Sequence, residues 1–335
     1  KSEDVIPSSN DEVSLNRSRR LASDVSGDHH RQRLRKVFRI ATWNVRTLNG
    51  DGKLDMLTRE IHRTKVDIVG LSEVRWEGEG HFSTADGDKV YFSGGNGSER
   101  GVAVLVSGKI AKAVLGYKAV SDRIMTVRIG AKPFNTTIIQ LYAPTSKYDD
   151  DTIEDWYEQV QETVDQSPKQ DIIIIMGDMN AKVGKSSVNS DVVGRHGLGD
   201  RNDRGDRLVQ FCQENQLVVC NTFFQHHPRR LYTWSSPGDR ARNQIDYIMI
   251  KHRWRNSIIN CRTLPGADID SDHNLLIADM RLKLKRPKKS ANIPKYDIES
   301  LKNQDISQKY SIEVSNRFQL LSDTERTPNE LWNVV

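Results

Sequence analysis

The alternation of apolar and polar residues predicts a domain rich in strands that opens at Phe38-Arg39-Ile40-Ala41-Thr42-Trp43-Asn44-Val45. Further strand-like runs lie at Val66–Leu71, Lys89–Phe92, Gly101–Val106, Met125–Ile129 and Thr137–Ala143, most of them separated by Gly-rich or polar turns such as Gly94-Gly95-Asn96-Gly97. Asp171–Met176 is an unbroken apolar run of the kind buried on both faces. Strands return at Leu217–Cys220, Gln244–Ile250 and Leu275–Leu282. Helical spacing predicts helices over Asp55–Arg63, Thr152–Val164 and Arg204–Asn215. Many strands with helices between some of them argue for an α/β sandwich, two packed sheets covered by helices.

Both ends of the chain break this pattern. Residues 1–36 are rich in Ser, Asp, Asn and Arg and are expected to be a disordered leader; 37–284 form the domain. Lys285-Arg286-Pro287-Lys288-Lys289 opens a basic linker, followed by a polar tail to Val335. The first residues are polar and carry no visible secretory signal, and no apolar run approaches a membrane span.

Charge adds a partner class. Among 335 residues, 50 Lys and Arg against 45 Asp and Glu give a net charge of +5, compatible with a polyanion without demanding one. The excess concentrates in 226–255, which holds seven Lys or Arg and two carboxylates, with Tyr232, Trp234 and Trp254 interleaved. Arg229, Arg230, Trp234, Arg240, Arg242 and Asn243 are therefore the expected nucleic-acid contacts. Three scattered cysteines fit neither a disulfide framework nor a zinc site and point to a reducing nuclear or cytoplasmic compartment. His226-His227 has no partner ligands nearby and reads as a solvated loop.

Candidate chemistry sits at strand ends. Asn44 closes the first strand, Glu73 follows the second, Tyr142-Ala143-Pro144 closes another, and Gly177-Asp178-Met179-Asn180 ends the most apolar one. Asp246 lies inside Asn243–Ile248, and Ser271-Asp272-His273 precedes the last strand. Buried carboxylates are costly unless paired or bound to metal, so the set together marks a site.

In order and flanks these motifs resemble the exonuclease–endonuclease–phosphatase superfamily, over about residues 37–284. Asn202-Asp203-Arg204-Gly205, Asn221-Thr222-Phe223-Phe224, Arg230-Leu231-Tyr232-Thr233-Trp234 and Arg242–Tyr247 further resemble the endonuclease domain of RTE-type (BovB-like) non-LTR retrotransposons. The resemblance implies a four-layered, DNase I-like α/β sandwich of two mixed sheets flanked by helices. It implies a DNA endonuclease using Mg²⁺ or Mn²⁺, without a small-molecule cofactor, that leaves 3′-hydroxyl and 5′-phosphate ends. Glu73, with Asn44 and Asp272 beside it, would hold the metal. Asp178 would activate water, Asn180 hold phosphate or nucleophile, and His273, oriented by Asp246, donate to the phosphate together with Tyr142. Two positions depart from apurinic endonucleases: Arg46 stands where a second acid is usual and Ser72 where Gln is common. In the retrotransposon a reverse transcriptase would follow; here the chain stops in what resembles the linker, as expected of a fragment or a domesticated copy. The competing readings are a phosphoesterase for small phosphates and a nuclease fold retained as a binding module.

Overall fold

The computed structural model describes residues 37–95, 97, 99–186, 190–282 and 297–322. The expected leader at 1–36 and the basic stretch at 285–289 lie outside the described residues. The chain divides into two units after Lys283.

In the first unit, strands β1 (Phe38–Asn44), β2 (Ile68–Ser72), β3 (Glu79–Ser83), β4 (Lys89–Ser93) and β5 (Val102–Val106) supply most of one sheet. Strands β6 (Val114–Ser121), β7 (Ile124–Ile129), β8 (Thr136–Tyr142), β9 (Ile172–Asp178) and β10 (Leu217–Val219) begin the second. A small ribbon, β11 (Trp234–Ser235) and β12 (Arg242–Asn243), is followed by β13 (Asp246–Lys251), β14 (Ile258–Leu264) and β15 (Leu275–Met280). The first sheet runs β14-β15-β1-β2-β5-β4-β3 and the second β10-β13-β9-β8-β7-β6. Each is mixed, with one parallel pair near its middle: β1 with β2, and β8 with β9.

Period-2 alternation sorts the side chains into layers. Ile40, Ile68, Val104 and Ala278 of the first sheet meet Met125, Ile138, Ile174, Met176 and Ile248 of the second in a shared core. Helix α1 (Lys53–Thr64) lays Leu57 and Ile61 on the outer face of the first sheet, against Val69 and Leu71. Helices α2 (Asp150–Asp165) and α3 (Asp203–Glu214) cover the second sheet with Trp156, Val160, Leu208 and Phe211. The result is the expected four-layered α/β sandwich. Local signals set the helix starts: Asp149 Oδ1 accepts from Thr152 N at 2.8 Å, and Asn202 Oδ1 from Gly205 N at 3.0 Å. Asn202 Oδ1 also accepts from Lys182 N at 2.9 Å, fastening α3 to the loop that leaves β9. A Cβ on Gly205 would lie 1.8 Å from Lys182 O, which accounts for the glycine of the Asn202–Gly205 motif.

Strands β3, β6 and β14 were not expected from the pattern. They lie at sheet edges or carry much exposed surface, so no long apolar run marks them. The second unit also differs from a plain polar tail: α4 (Gln304–Ser322) is a 19-residue helix. Asn303 Oδ1 accepts from Asp305 N at 3.0 Å at its start, and Ile306, Tyr310 and Val314 recur at helical spacing in a segment without Gly or Pro. No helix among the described residues is long and apolar enough to cross a membrane.

Candidate active site

The inward parity that fills the core also delivers the polar residues. Ile40 and Thr42 lead to Asn44 on β1; Ile138 and Gln140 to Tyr142 on β8; Ile174 and Met176 to Asp178 on β9. On β13, running the other way, Ile250 and Ile248 lead back to Asp246. Register aligns them, with Asp178 opposite both Tyr142 and Asp246, and Asn44 opposite Ser72. Glu73 (φ 56°) and Asn180 (φ 46°) lie just beyond their strands in the left-handed region, where the chain turns sharply out of each strand.

Beneath the site a polar layer crosses the inter-sheet core. Gln140 Nε2 donates to Ser72 Oγ at 3.0 Å, and Ser72 Oγ donates to Leu141 O at 3.2 Å. Gly70 makes room for this layer, since a Cβ there would lie 1.8 Å from Gln140 Oε1.

The carboxylates are cross-tied. Asn44 Nδ2 donates to Glu73 Oε1 at 2.9 Å and to Asp178 Oδ2 at 3.0 Å, while its oxygen accepts from Arg46 N. Asn44 thus bridges the two carboxylates through its amide nitrogen while its oxygen faces Arg46 N. Tyr142 donates its hydroxyl to Glu73 Oε1 at 3.0 Å, and Arg75 Nη2 reaches Glu73 Oε2 at 3.1 Å. The expected Tyr142 donor toward phosphate is therefore committed to Glu73 in this arrangement. Asp178 Oδ1 accepts from Asn180 N at 3.0 Å, and Asn180 Nδ2 donates to Ala143 O at 2.9 Å.

On the opposite side, His273 Nδ1 and Asp246 Oδ2 are 2.9 Å apart, and His273 Nε2 is 3.9 Å from Asp178 Oδ2. Trp43 Nε1 donates to His273 O, and Ser271 Oγ donates to Asn44 O, so β1 pins the loop before β15. Trp234 Nε1 donates to Asp272 Oδ2 at 3.0 Å, and a backbone bridge pairs Trp234 with His273. Thr233, fully buried, accepts from Ile245 N and Asp246 N at 3.0 Å each.

Burial, then the nearby Asp246 charge, pushes the Asp178 carboxyl up to about 7, against His273, Asn44 and the Asn180 amide. Burial opposes charging His273, but Asp246 beside it, with Asp178 and Asp272 beyond, prevails and raises its pKa to about 9. The surrounding carboxylates thus favour the imidazolium, in which Nε2 carries a proton to donate. Burial first, and then the Glu73 and Asp178 charges, hold the Tyr142 phenol well above its ordinary value, so it remains a donor.

A cavity of about 420 Å³ opens over this cluster, lined by Glu73, Asp178, Asn180, Trp234, Asp272 and His273 among others. Asp178, Asp246 and His273 can each direct one ligand atom to a shared region within 4.8 Å, and buried Asp246 Oδ1 has no partner. The donors are carboxylate oxygens with one imidazole; the three cysteines lie buried in the hydrophobic cores. An imidazolium at His273 offers no lone pair, so the fit to a hard divalent cation rests on the carboxylate oxygens, of which those of Glu73, Asp178 and Asp272 line the cavity.

The expected nucleic-acid contacts are more scattered. Trp234 and Asn243 line the cavity. Arg229, Arg230 and Arg240 are exposed and not among the cavity residues. Arg242 pairs with Asp239 and lies over the Tyr232 ring, 4.6 Å from its centroid. Trp254 is a core residue packed on Phe134. Arg46, Arg75, Ser146, Lys182, Asn202 and Ile245 also line the cavity. They lie in loops, and the one available signal is their closeness to the strand-end motifs.

The strand-end constellation and the two-sheet sandwich define a phosphoesterase class. The chain belongs to the endonuclease/exonuclease/phosphatase family, which matches residues 41–273. Among individual relatives, craniofacial development protein 2 of Bos taurus is 46% identical over 266 residues, covering 79% of this chain and 44% of that protein. The chain thus spans less than half of that relative's length. Among solved structures, the endonuclease domain of TRAS1, a telomere-specific non-LTR retrotransposon, superposes with a TM-score of 0.55 at 20% identity, covering 74% of this chain and 99% of that one. An AP endonuclease from Archaeoglobus fulgidus gives 0.56 at 18% identity, covering 73% and 100%.

Proposed function

We propose that the chain is a divalent-metal-dependent DNA endonuclease, retrotransposon-derived, that nicks target DNA to leave 3′-hydroxyl and 5′-phosphate ends. The observation that carries this reading is the meeting, around one cavity, of Glu73, Asp178, Asn180, Asp272 and the Asp246–His273 pair from the strand ends of both sheets. Glu73 and Asp272 would hold Mg²⁺ or Mn²⁺, with Asn44 and Tyr142 fixing the Glu73 carboxylate. When bound, the ion supplies positive charge against the anionic phosphate and leaving oxygen. Asp178 orients the attacking water and takes its proton. Asn180, anchored on Ala143 O, uses its remaining amide N–H to hold a phosphate oxygen or the nucleophile. His273 donates from Nε2 to a non-bridging oxygen, while Asp246 fixes its tautomer and favours its cationic form. Trp234 and Asn243 contact the DNA beside the site, and Arg229, Arg230, Arg240 and Arg242 contact its backbone further out.

Nicking of supercoiled plasmid with Mg²⁺, beside EDTA and the Asp178→Asn and His273→Ala variants, tests the reading. Wild type is expected to give metal-dependent relaxed circles with 3′-hydroxyl ends. Each variant loses about 10²–10³ in rate. A folded wild type that nicks with neither Mg²⁺ nor Mn²⁺ would leave a nuclease fold serving as a binding module.

A further inference from the structure

Arg123 stands immediately before β7 and is 7% exposed, yet it has no ion-pair partner among the described residues. A buried guanidinium without a carboxylate is costly and calls for a reason. Its environment is aromatic. The guanidinium carbon lies 4.8 Å from the Tyr142 ring centroid and 5.2 Å from that of Tyr148. Tyr148 is held in turn: Arg100 Nη2 donates to its hydroxyl at 2.9 Å, and Arg204 Nη2 to its carbonyl at 3.1 Å. Arg123 also grips the Tyr142 main chain twice, accepting from Tyr142 N at 2.9 Å and donating from Nη1 to Tyr142 O at 3.3 Å. Backbone and ring of one residue are thus fixed by a single side chain and its own carbonyl. That residue is the donor to Glu73 Oε1.

We propose that Arg123 is a positioning residue, acting through Tyr142 to hold the Glu73 carboxylate in its working orientation. The inference rests on the nuclease reading above. Arg123 is packed beside tyrosine rings, unlike the exposed Arg46, which lines the cavity. A flat cation is required here. A lysine keeps the charge but cannot lie against the rings or place a planar donor on the Tyr142 carbonyl.

The test is a double-mutant cycle read by plasmid nicking, with circular dichroism to establish that each variant is folded. Arg123→Met keeps an apolar filler beside the rings, and Arg123→Lys serves as a second variant should it fail to fold. Arg123→Met is expected to lower kcat about tenfold or more, with KM for DNA changed by less than about threefold. Arg123→Lys does not restore kcat. In a Tyr142→Phe background, Arg123→Met lowers kcat by less than about threefold. Equal losses in both backgrounds would show that Arg123 acts independently of Tyr142 and overturn the proposal.

A second readout needs no activity, so failure of the nuclease reading is distinguishable. With ¹³C-labelled tyrosine, the Tyr142 ring resonance, assigned from Tyr142→Phe, is expected to shift or broaden in Arg123→Met. That of Tyr247, buried in the helix-covered core, stays put. An unmoved Tyr142 resonance overturns the proposal even if wild type proves inert.

Discussion

His273 Nδ1 and Asp246 Oδ2 lie 2.9 Å apart, and their pairing has a measurable consequence. Asp246→Asn keeps the volume but removes the charge that favours the imidazolium, and we expect it to lower kcat by about 10²–10⁴. The Asp246→Asn/His273→Ala double variant should nick no more than about threefold more slowly than His273→Ala alone. Multiplicative losses would show that Asp246 acts elsewhere. At this scale the sequence was largely legible, because a polar residue at the last inward position of an apolar strand stands out, as Asn44, Tyr142, Asp178 and Asp246 do. Where the polar atoms point was not legible. Nothing in Tyr142-Ala143-Pro144 says that the hydroxyl ends on Glu73, because that depends on a partner 69 residues away.

Between elements, the polar layer under the site joins the two sheets across a gap kept open by Gly70. Gly70→Ala should destabilise the fold by about 1–3 kcal/mol through overpacking. Shortening the opposing side chain, as in Gln140→Ala, should make the double variant less unstable than the sum of its parts. Urea denaturation of the four proteins measures this, and strict additivity would mean that Met176, 2.8 Å from the same added Cβ, sets the cost instead. The central strands and the helices on the outer faces were readable from periodicity. Edge strands β3 and β6 were not, because alternation with little apolar content resembles loop. The ribbon of β11 and β12 was read as a DNA-contacting region; its placement of Trp234 against Asp272 depends on pairing with a loop some 40 residues on.

Across the whole molecule, the rim of the first sheet is fastened by Asp279 of β15, which accepts from Arg39 Nε of β1 at 2.7 Å and from Arg262 Nη1 of β14 at 2.9 Å. Burial acts to raise the Asp279 pKa, but the two guanidiniums prevail and hold it below the ordinary 3.8. A carboxyl depressed in the folded state adds stability that is fully present above its unfolded pKa and lost as pH falls through its folded one. Asp279→Asn removes the charge that both guanidiniums face and should cost about 1.5–3 kcal/mol near neutrality, the usual range for a hydrogen bond to a charged group. The gap from wild type should narrow as the pH drops below the unfolded value. Denaturant midpoints for both proteins across the acid range check this, and a gap independent of pH would assign the stabilisation to hydrogen bonding alone. The antiparallel register of β1 with β15, Phe38 opposite Met280, also bears on how the protein is made. β2 can pair with β1 soon after both leave the ribosome, but β15, on the other side of β1, emerges roughly 240 residues later, about 10–50 s at ordinary elongation rates. The contacts of Trp43 with His273 and of Ser271 with Asn44 form only then, so a nascent chain ended before β15 would lack the cluster that lines the cavity.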